Sequence, residues 1–216
     1  MKKIILSLLI TASATMCAKA QIKFGIKGGA NLSSIIGEHT PAANRSSIQY
    51  VSKLGYNAGA FVNFPIKGCF SLQTELLYSL EGANNYKVIS SNAEGELTSS
   101  YTFGHLNLSY VQVPILAKFA LPYKLYVQTG PQIGFLTSAK INYETGDGAY
   151  DVRSSFHQID FAWGVGIGYK IPTGPNVDVR YNIGINSIDK ASDNGGRNSN
   201  LEVGLFYIFS GKNSKS

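Results

Sequence analysis

Alternation of apolar and polar residues dominates the last third of the chain. From Phe161 to Ile171 every second residue is apolar, and the residues between them are small, polar or charged. Similar alternation returns over residues 177–185 and 201–209. A period of two residues predicts β-strands, because successive side chains of a strand point to opposite faces of the sheet.

Strand signals of this kind occur in eight segments along the chain. The predicted strands are residues 22–30, 54–64, 70–79, 107–119, 124–135, 159–171, 177–186 and 200–209. Short turns rich in Pro and Gly alternate with long polar connections, which are residues 31–53, 80–106, 136–158 and 187–199. Short turns at one end and long loops at the other are typical of bacterial outer-membrane barrels.

The chemistry of the two strand faces indicates which face meets lipid. The polar face carries both signs of charge at mid-strand, on Glu75, Lys118, Asp160, Lys170, Asp178, Arg180 and Glu202. It is also rich in glycine, as over residues 164–168, which suits a crowded barrel interior. The apolar face carries aromatic residues near the turns (Phe24, Phe64, Phe70, Tyr169, Phe209) and near the loops (Tyr56, Tyr78, Phe135). Two such girdles favour a membrane barrel over a soluble lipocalin-like barrel with an apolar lumen.

These patterns together predict an all-β fold, an eight-stranded antiparallel transmembrane β-barrel of the size of OmpA and OmpX. We expect short periplasmic turns, long outer loops and both termini on the periplasmic side. Pro114 should cause a β-bulge in its strand, which would also explain a slip of the alternation near Tyr110.

The first twenty residues have the features of a signal peptide. A basic start, Met1–Lys3, precedes an apolar run over residues 4–10, and Ala18 and Ala20 fit a small-x-small cleavage site. The apolar run is far shorter than the ~20 residues of a spanning helix. We therefore expect cleavage after Ala20, a single barrel domain over residues 21–216, and a location in the bacterial outer membrane. Lipid attachment at Cys17 is the less favoured alternative, because Met16 is bulky for such a site.

Charge and cysteine content exclude some functions. Without the three lysines of the leader, 16 of the 19 basic residues remain against 13 acidic ones, so the net charge is only +3. This near balance gives no support for nucleic-acid binding. Cys69 is then the single cysteine and cannot form an internal disulfide.

The lumen of an eight-stranded barrel is just wide enough to be filled by side chains. Charges buried there must pair, because an isolated one would cost several kcal/mol. We therefore predict a structural network in which Lys118, Lys170 and Arg180 bridge to four acids, Glu75, Asp160, Asp178 and Glu202. This network would plug the barrel; an ion path through it is the alternative.

Three histidines, His39, His105 and His157, fall at the predicted outer rim. Ser154, Ser155 and Asp160 lie near His157 in sequence, so the ingredients of a lipid hydrolase or acyltransferase are present. No spacing singles out one trio, however, and the histidines lack metal-ligand spacing. The sequence therefore predicts no catalytic residues, no cofactor and no metal site.

Four segments carry a family resemblance. Gly25–Ser33, Phe70–Tyr78, Val113–Lys118 and Arg180–Gly184 resemble strands one, three, four and seven of the small "porin family" outer-membrane barrels that include PorT. The resemblance implies an envelope barrel surrounded by outer-membrane lipid, and an accessory role in protein secretion as an alternative function. The favoured prediction is a non-enzymatic barrel whose outer loops contact protein or glycan partners.

Overall fold

The strands form one antiparallel sheet that closes into a ring. The computed structural model describes residues 22–37, 46–90, 97–143, 148–172, 174–190 and 196–209. The strands are β1 Lys23–Ile36, β2 Ser46–Lys67, β3 Phe70–Ser90, β4 Leu97–Ala120, β5 Leu125–Tyr143, β6 Ala149–Asp151, β7 Ile159–Tyr169, β8 Asn176–Gly184 and β9 Arg197–Phe209. Eight of them follow the ring in chain order, and β9 pairs with β1 to close it. The short β6 pairs only with the end of β5. The predicted eight-stranded antiparallel barrel is therefore confirmed.

The two ends of the barrel differ in their connections. At the turn end, short segments join β2 to β3, β4 to β5 and β7 to β8, and the first and last described residues lie at this end. The β4–β5 connection contains a 3₁₀ turn, Pro122–Lys124. The opposite end is called the loop end below. The predicted signal peptide lies outside the described residues.

Several predicted loops are largely strand. β2 has 22 residues and β4 has 24, whereas β7 and β8 have only 11 and 9. The continuations of β1 to β5 occupy much of the predicted loops 31–53, 80–106 and 136–158, so those loop assignments were wrong over these residues. One wall of the barrel, from β2 to β5, consequently rises above the other at the loop end.

The apolar face of the sheet points outward and the polar face points into the barrel, as the sequence predicts. Phe161, Trp163 and Val165 point outward and are between 46% and 56% exposed. On neighbouring strands, Arg180 and Glu202 point inward and are completely buried. The barrel thus has an apolar outside and a polar inside, the reverse of a soluble protein.

The predicted bulge at Pro114 is wrong. The β3–β4 and β4–β5 pairings are each interrupted beside this proline, because it has no N–H to donate. In each pairing, however, the register before the interruption is the same as the register after it, so no residue is inserted. The irregularity instead lies between Ser109 and Tyr110, opposite Thr137 of β5. The extra residue is on β5, whose inward residues change from Leu136 to Ala139 across it.

An aromatic cluster, defined as Phe61, Tyr126 and Phe206, fills the lumen near the turn end. Tyr126 pairs with Gly168 of β7, and its ring lies over that glycine. A Cβ at residue 168 would lie 2.2 Å from the tyrosine ring. The expected crowding of glycines inside a narrow barrel is therefore confirmed here.

An apolar cap closes the lumen at the loop end. Its buried residues are Ile35, Ala83, Leu106, Leu108, Tyr110, Leu136, Ala139 and Ile188. Ile188 comes from the β8–β9 connection. The backbone N–H of His157, in the β5–β7 connection, donates to the Ile188 carbonyl at 2.9 Å and so links the two connections. Tyr50 packs against the cap, and burial together with the carboxylate of Asp189 raises the pKa of its hydroxyl.

Replacing Gly168 with Ala should destabilise the barrel, because the new methyl group overlaps the ring of Tyr126. We expect a loss of about 1–3 kcal/mol in the free energy of unfolding, measured by urea titration of the barrel refolded in lipid vesicles. Gly28→Ala is the control, because a Cβ there would lie 3.7 Å from its nearest neighbour. Equal unfolding midpoints for the two variants would contradict this packing.

Candidate functional site: the barrel lumen

The centre of the lumen holds a cluster of five buried charges. This charge cluster is Lys27, Glu75, Asp178, Arg180 and Glu202, whose side chains are all 0% exposed. Arg180 donates to Glu75 at 3.0 Å through one terminal nitrogen and to Glu202 at 2.7 Å through the other. The guanidinium thus spans the lumen and ties β8 to β3 and β9.

Lys27 completes the cluster from β1. Its Nζ donates to Asp178 at 3.0 Å and lies 3.7 Å from Glu75 and 4.0 Å from Glu202. Gly204 makes this approach possible, because a Cβ there would lie 2.5 Å from Asp178 and 2.6 Å from the Lys27 chain. Each carboxylate of the cluster therefore has a cation within 4.0 Å.

The register of the strands brings these residues to one level. Arg180 and Glu202 are direct partners on β8 and β9. Asp178 is the partner of Gly204, which stands two residues from Glu202 on the same face. Glu75 reaches the same level from the far wall, 105 residues away in sequence from Arg180. The cluster is thus a product of barrel closure rather than of any local motif.

Lys118 lies between the charge cluster and the turn end. Its Nζ donates to Gln73 at 2.9 Å, and Gln73 in turn donates to Glu75 at 2.7 Å. The same ammonium lies 4.5 Å from the ring centre of Tyr126 and 5.1 Å from that of Phe206, close enough for cation–π attraction. Lys118 therefore joins the cluster through an amide rather than by the predicted ion pair.

A second level, on the loop side of the charge cluster, is built from amides around two carboxylates. Glu81 accepts hydrogen bonds from Ser79 at 3.0 Å, Gln112 at 2.6 Å and Asn200 at 2.8 Å. Asp160 accepts one from Asn198 at 2.8 Å. Among the described residues no Lys or Arg pairs with either acid, so neutral donors replace the cations predicted to bridge to Asp160.

The structure brings together some of the predicted network residues and separates others. Glu75, Asp178, Arg180 and Glu202 meet in the charge cluster, and Asp160 lies in the amide level above it. The prediction that Lys170 belongs to the buried network was wrong. This residue follows the last residue of β7 and is exposed at the turn end. The predicted network did not include Lys27 and Glu81, although both side chains face the lumen. Lys27 belongs to the inward face of the alternation in β1. Glu81 lies just beyond residue 79, where its strand was predicted to end.

The three histidines do not form a site within the described part of the chain. His39 lies outside the described residues. His105 contacts Asn84, with Nδ1 and Oδ1 2.7 Å apart, and the ring of His157 is exposed. Asp160 faces the lumen, so the predicted neighbour of His157 points away from the rim.

Two further features of the described residues bear on the chemistry. No group of three or more His, Cys, Asp or Glu residues among them is arranged to hold a metal ion. No helix among them has the length and hydropathy needed to cross a membrane.

Solved structures of small barrels share this architecture. Neisserial surface protein A (NspA) superposes with a TM-score of 0.51 at 15% identity, over 86% of this chain and 97% of its own. At this identity the likeness concerns the fold alone. Ail of Yersinia pestis, solved with the heparin analogue sucrose octasulfate, gives 0.46 at 13% identity, over 88% of this chain and 99% of Ail. OprG of Pseudomonas aeruginosa gives 0.45 at 9% identity, over 89% and 98%.

The sequence itself matches a family. No curated protein matches it, but residues 14–190, most of the chain, match the family described as outer membrane protein beta-barrel domain. That description agrees with the closed ring, the apolar outer face and the buried charges. The chain therefore belongs to the outer membrane protein beta-barrel domain family and is a barrel of the bacterial outer membrane.

Proposed function

We propose that this protein is a non-enzymatic outer-membrane barrel with a closed lumen, which presents its loop end to partners at the cell surface. The observation that carries the proposal is the order of layers inside the barrel. The aromatic cluster lies nearest the turn end, the charge cluster and the amide level follow, and the apolar cap lies at the loop end. A water-filled pore would need polar walls along its whole length, whereas here two apolar layers enclose the charges.

The raised wall supports a role for the loop end. A tilted strand crosses the bilayer in about 9–11 residues, and β3 and β4 have 21 and 24. The additional length extends beyond the lipid and carries the connections between the strands. We infer that this wall and the adjoining loops provide the contact surface for a protein or a glycan, with the turn end in the periplasm and the predicted leader removed after Ala20.

Two alternatives have less support. A lipid hydrolase at the rim would need a base and a carboxylate in contact, whereas His157 is exposed and Asp160 is bound by Asn198 in the lumen. An accessory role in secretion depends only on the resemblance to barrels of the PorT type, and no contact in the lumen favours it.

The protein should behave in gels as a folded membrane barrel does. Extracted into mild detergent, it should migrate differently before and after boiling, because the closed hydrogen-bonded ring resists detergent until it is heated. The measurement is gel mobility of the outer-membrane fraction, with a soluble periplasmic protein as the control. A soluble protein with unchanged mobility would contradict the membrane assignment.

Arg180→Met should destabilise the barrel strongly, because it leaves Glu75 and Glu202 buried without their guanidinium partner. Removing one member of a buried ion pair costs about 3–5 kcal/mol, to be measured by urea titration in vesicles. Arg197→Met, at an exposed residue of β9, should change the unfolding free energy by less than about 0.5 kcal/mol. Adding Glu202→Gln to Arg180→Met should restore part of the loss; equal effects of the two arginine variants would contradict a sealed charge cluster.

The closed lumen predicts an absence of steady ion conductance. The wild-type barrel, reconstituted into planar bilayers, should give no stable current steps at voltages where an open porin, used as the control, conducts. The reason is that the apolar cap and the aromatic cluster each exclude hydrated ions. Reproducible steps from the folded wild-type protein would overturn the closed-lumen proposal and favour the ion path.

A further inference from the structure

The turn end of the barrel contains a cavity that has no role in the proposed function. Its volume is about 160 Å³, and it lies below the aromatic cluster, between the β2–β3 turn and Lys170 just beyond the end of β7. We call it the vestibule. Three lysines line it: Lys23 from β1, Lys118 from β4 and Lys170 from the β7–β8 turn. No Asp or Glu is among its described lining residues, so the walls carry positive charge only.

Two of the lysines lie around the same aromatic ring, and the third acts on one of them as a like charge. The ammonium groups of Lys118 and Lys170 lie 4.5 Å and 5.9 Å from the centre of the same Tyr126 ring, so they are within about 10 Å of each other. Although the residue as a whole is exposed, partial burial of its ammonium, and then the neighbouring charge of Lys23, lower the pKa of Lys170. Lys23 and Lys170 therefore repel each other, and a bound anion would offset this repulsion.

Neutral donors lie beside two of the lysines, because Asn63 is the register partner of Lys23 and Ser71 is that of Lys118. Asn63 donates to the hydroxyl oxygen of Ser71 at 3.1 Å, which leaves the Ser71 hydroxyl proton available to another acceptor. Gln73 accepts from Lys118, which holds that ammonium at the inner edge of the vestibule. Several ammonium groups with a hydroxyl donor suit a tetrahedral oxyanion, because each of its oxygens can accept charge-assisted hydrogen bonds.

We propose that the vestibule is a binding site for a phosphate group, carried either by a small phosphorylated molecule of the periplasm or by the headgroup of an anionic phospholipid of the inner leaflet. The site adjoins the aromatic cluster that closes the lumen at the turn end and shares Tyr126 and Phe206 with it, but its existence does not depend on whether the barrel conducts ions.

Cys69 offers a direct readout, because this exposed free thiol lines the same cavity. The refolded full-length barrel in non-ionic detergent is treated with a maleimide, and the rate of Cys69 alkylation is followed by the mass of the peptide that contains Cys69 and not Cys17. Glycerol phosphate is titrated against chloride at constant ionic strength, and phosphatidylglycerol in mixed micelles is titrated separately against phosphatidylcholine. We expect saturable slowing of the alkylation by at least one of the two phosphate sources.

Matched lysine variants test whether the vestibule is responsible. Lys23→Gln with Lys170→Gln removes two vestibule charges, and the loss of two charge-assisted contacts should weaken protection by at least about tenfold. Lys67→Gln with Lys124→Gln makes the same charge change on exposed lysines of the same end that do not line the cavity, and should leave protection within about twofold. Heat-dependent gel mobility verifies folding of both variants.

Each outcome is decisive. Protection by glycerol phosphate assigns the site to small phosphorylated molecules, and protection by phosphatidylglycerol alone assigns it to the lipid headgroup. No protection by either source, or equal protection in the two double variants, would overturn the proposal.

Discussion

The guanidinium of Arg180 is the group on which the barrel's register depends. It is fully buried in the centre of the lumen, where an unpaired charge would cost several kcal/mol. Its partners come from β3 and β9, on different parts of the ring, and both must face inward at the same level. A slip of one residue in any of these strands would move its inward side chains to the lipid face. The ion pairs therefore select one register for the closed sheet, whatever their net contribution to stability.

The rest of the lumen is consistent with this central constraint. Charges need a polar but dry environment with partners, and the apolar layers at both ends provide it by excluding water. Glycine at residue 204 allows Lys27 and Asp178 to approach each other, and glycine at residue 168 allows Tyr126 to fill the turn end. Small residues on the inner face are thus as necessary as charged ones, because eight strands enclose little space.

Much of the membrane-spanning part could be predicted from the sequence, since apolar-out and polar-in alternation is strict there. The strand faces and the burial of Glu75, Asp178, Arg180 and Glu202 follow from parity, and the ring of eight follows from the count of strand segments. Lys170 was misplaced because parity carries no information on where a strand ends, and its side chain lies one residue beyond β7. The ion-pair partners could not be predicted, because they depend on which walls face each other after closure.

The missed strand extensions have a physical reason in the chemistry of their two faces. Above the bilayer a strand faces water, so its pattern must invert to apolar-in and polar-out. On β4 the residues that alternate with the inward ones change from Val111 to polar Ser109, which is buried, and half-buried Asn107, while the inward ones become Tyr110, Leu108 and Leu106. On β5 the outward residues change after Phe135, to Thr137 and Lys140. Val111 pairs with Phe135 and Ser109 with Ser138, so neighbouring strands invert at the same level. The apolar-out pattern thus ends at this level on both strands, although the sheet continues beyond it.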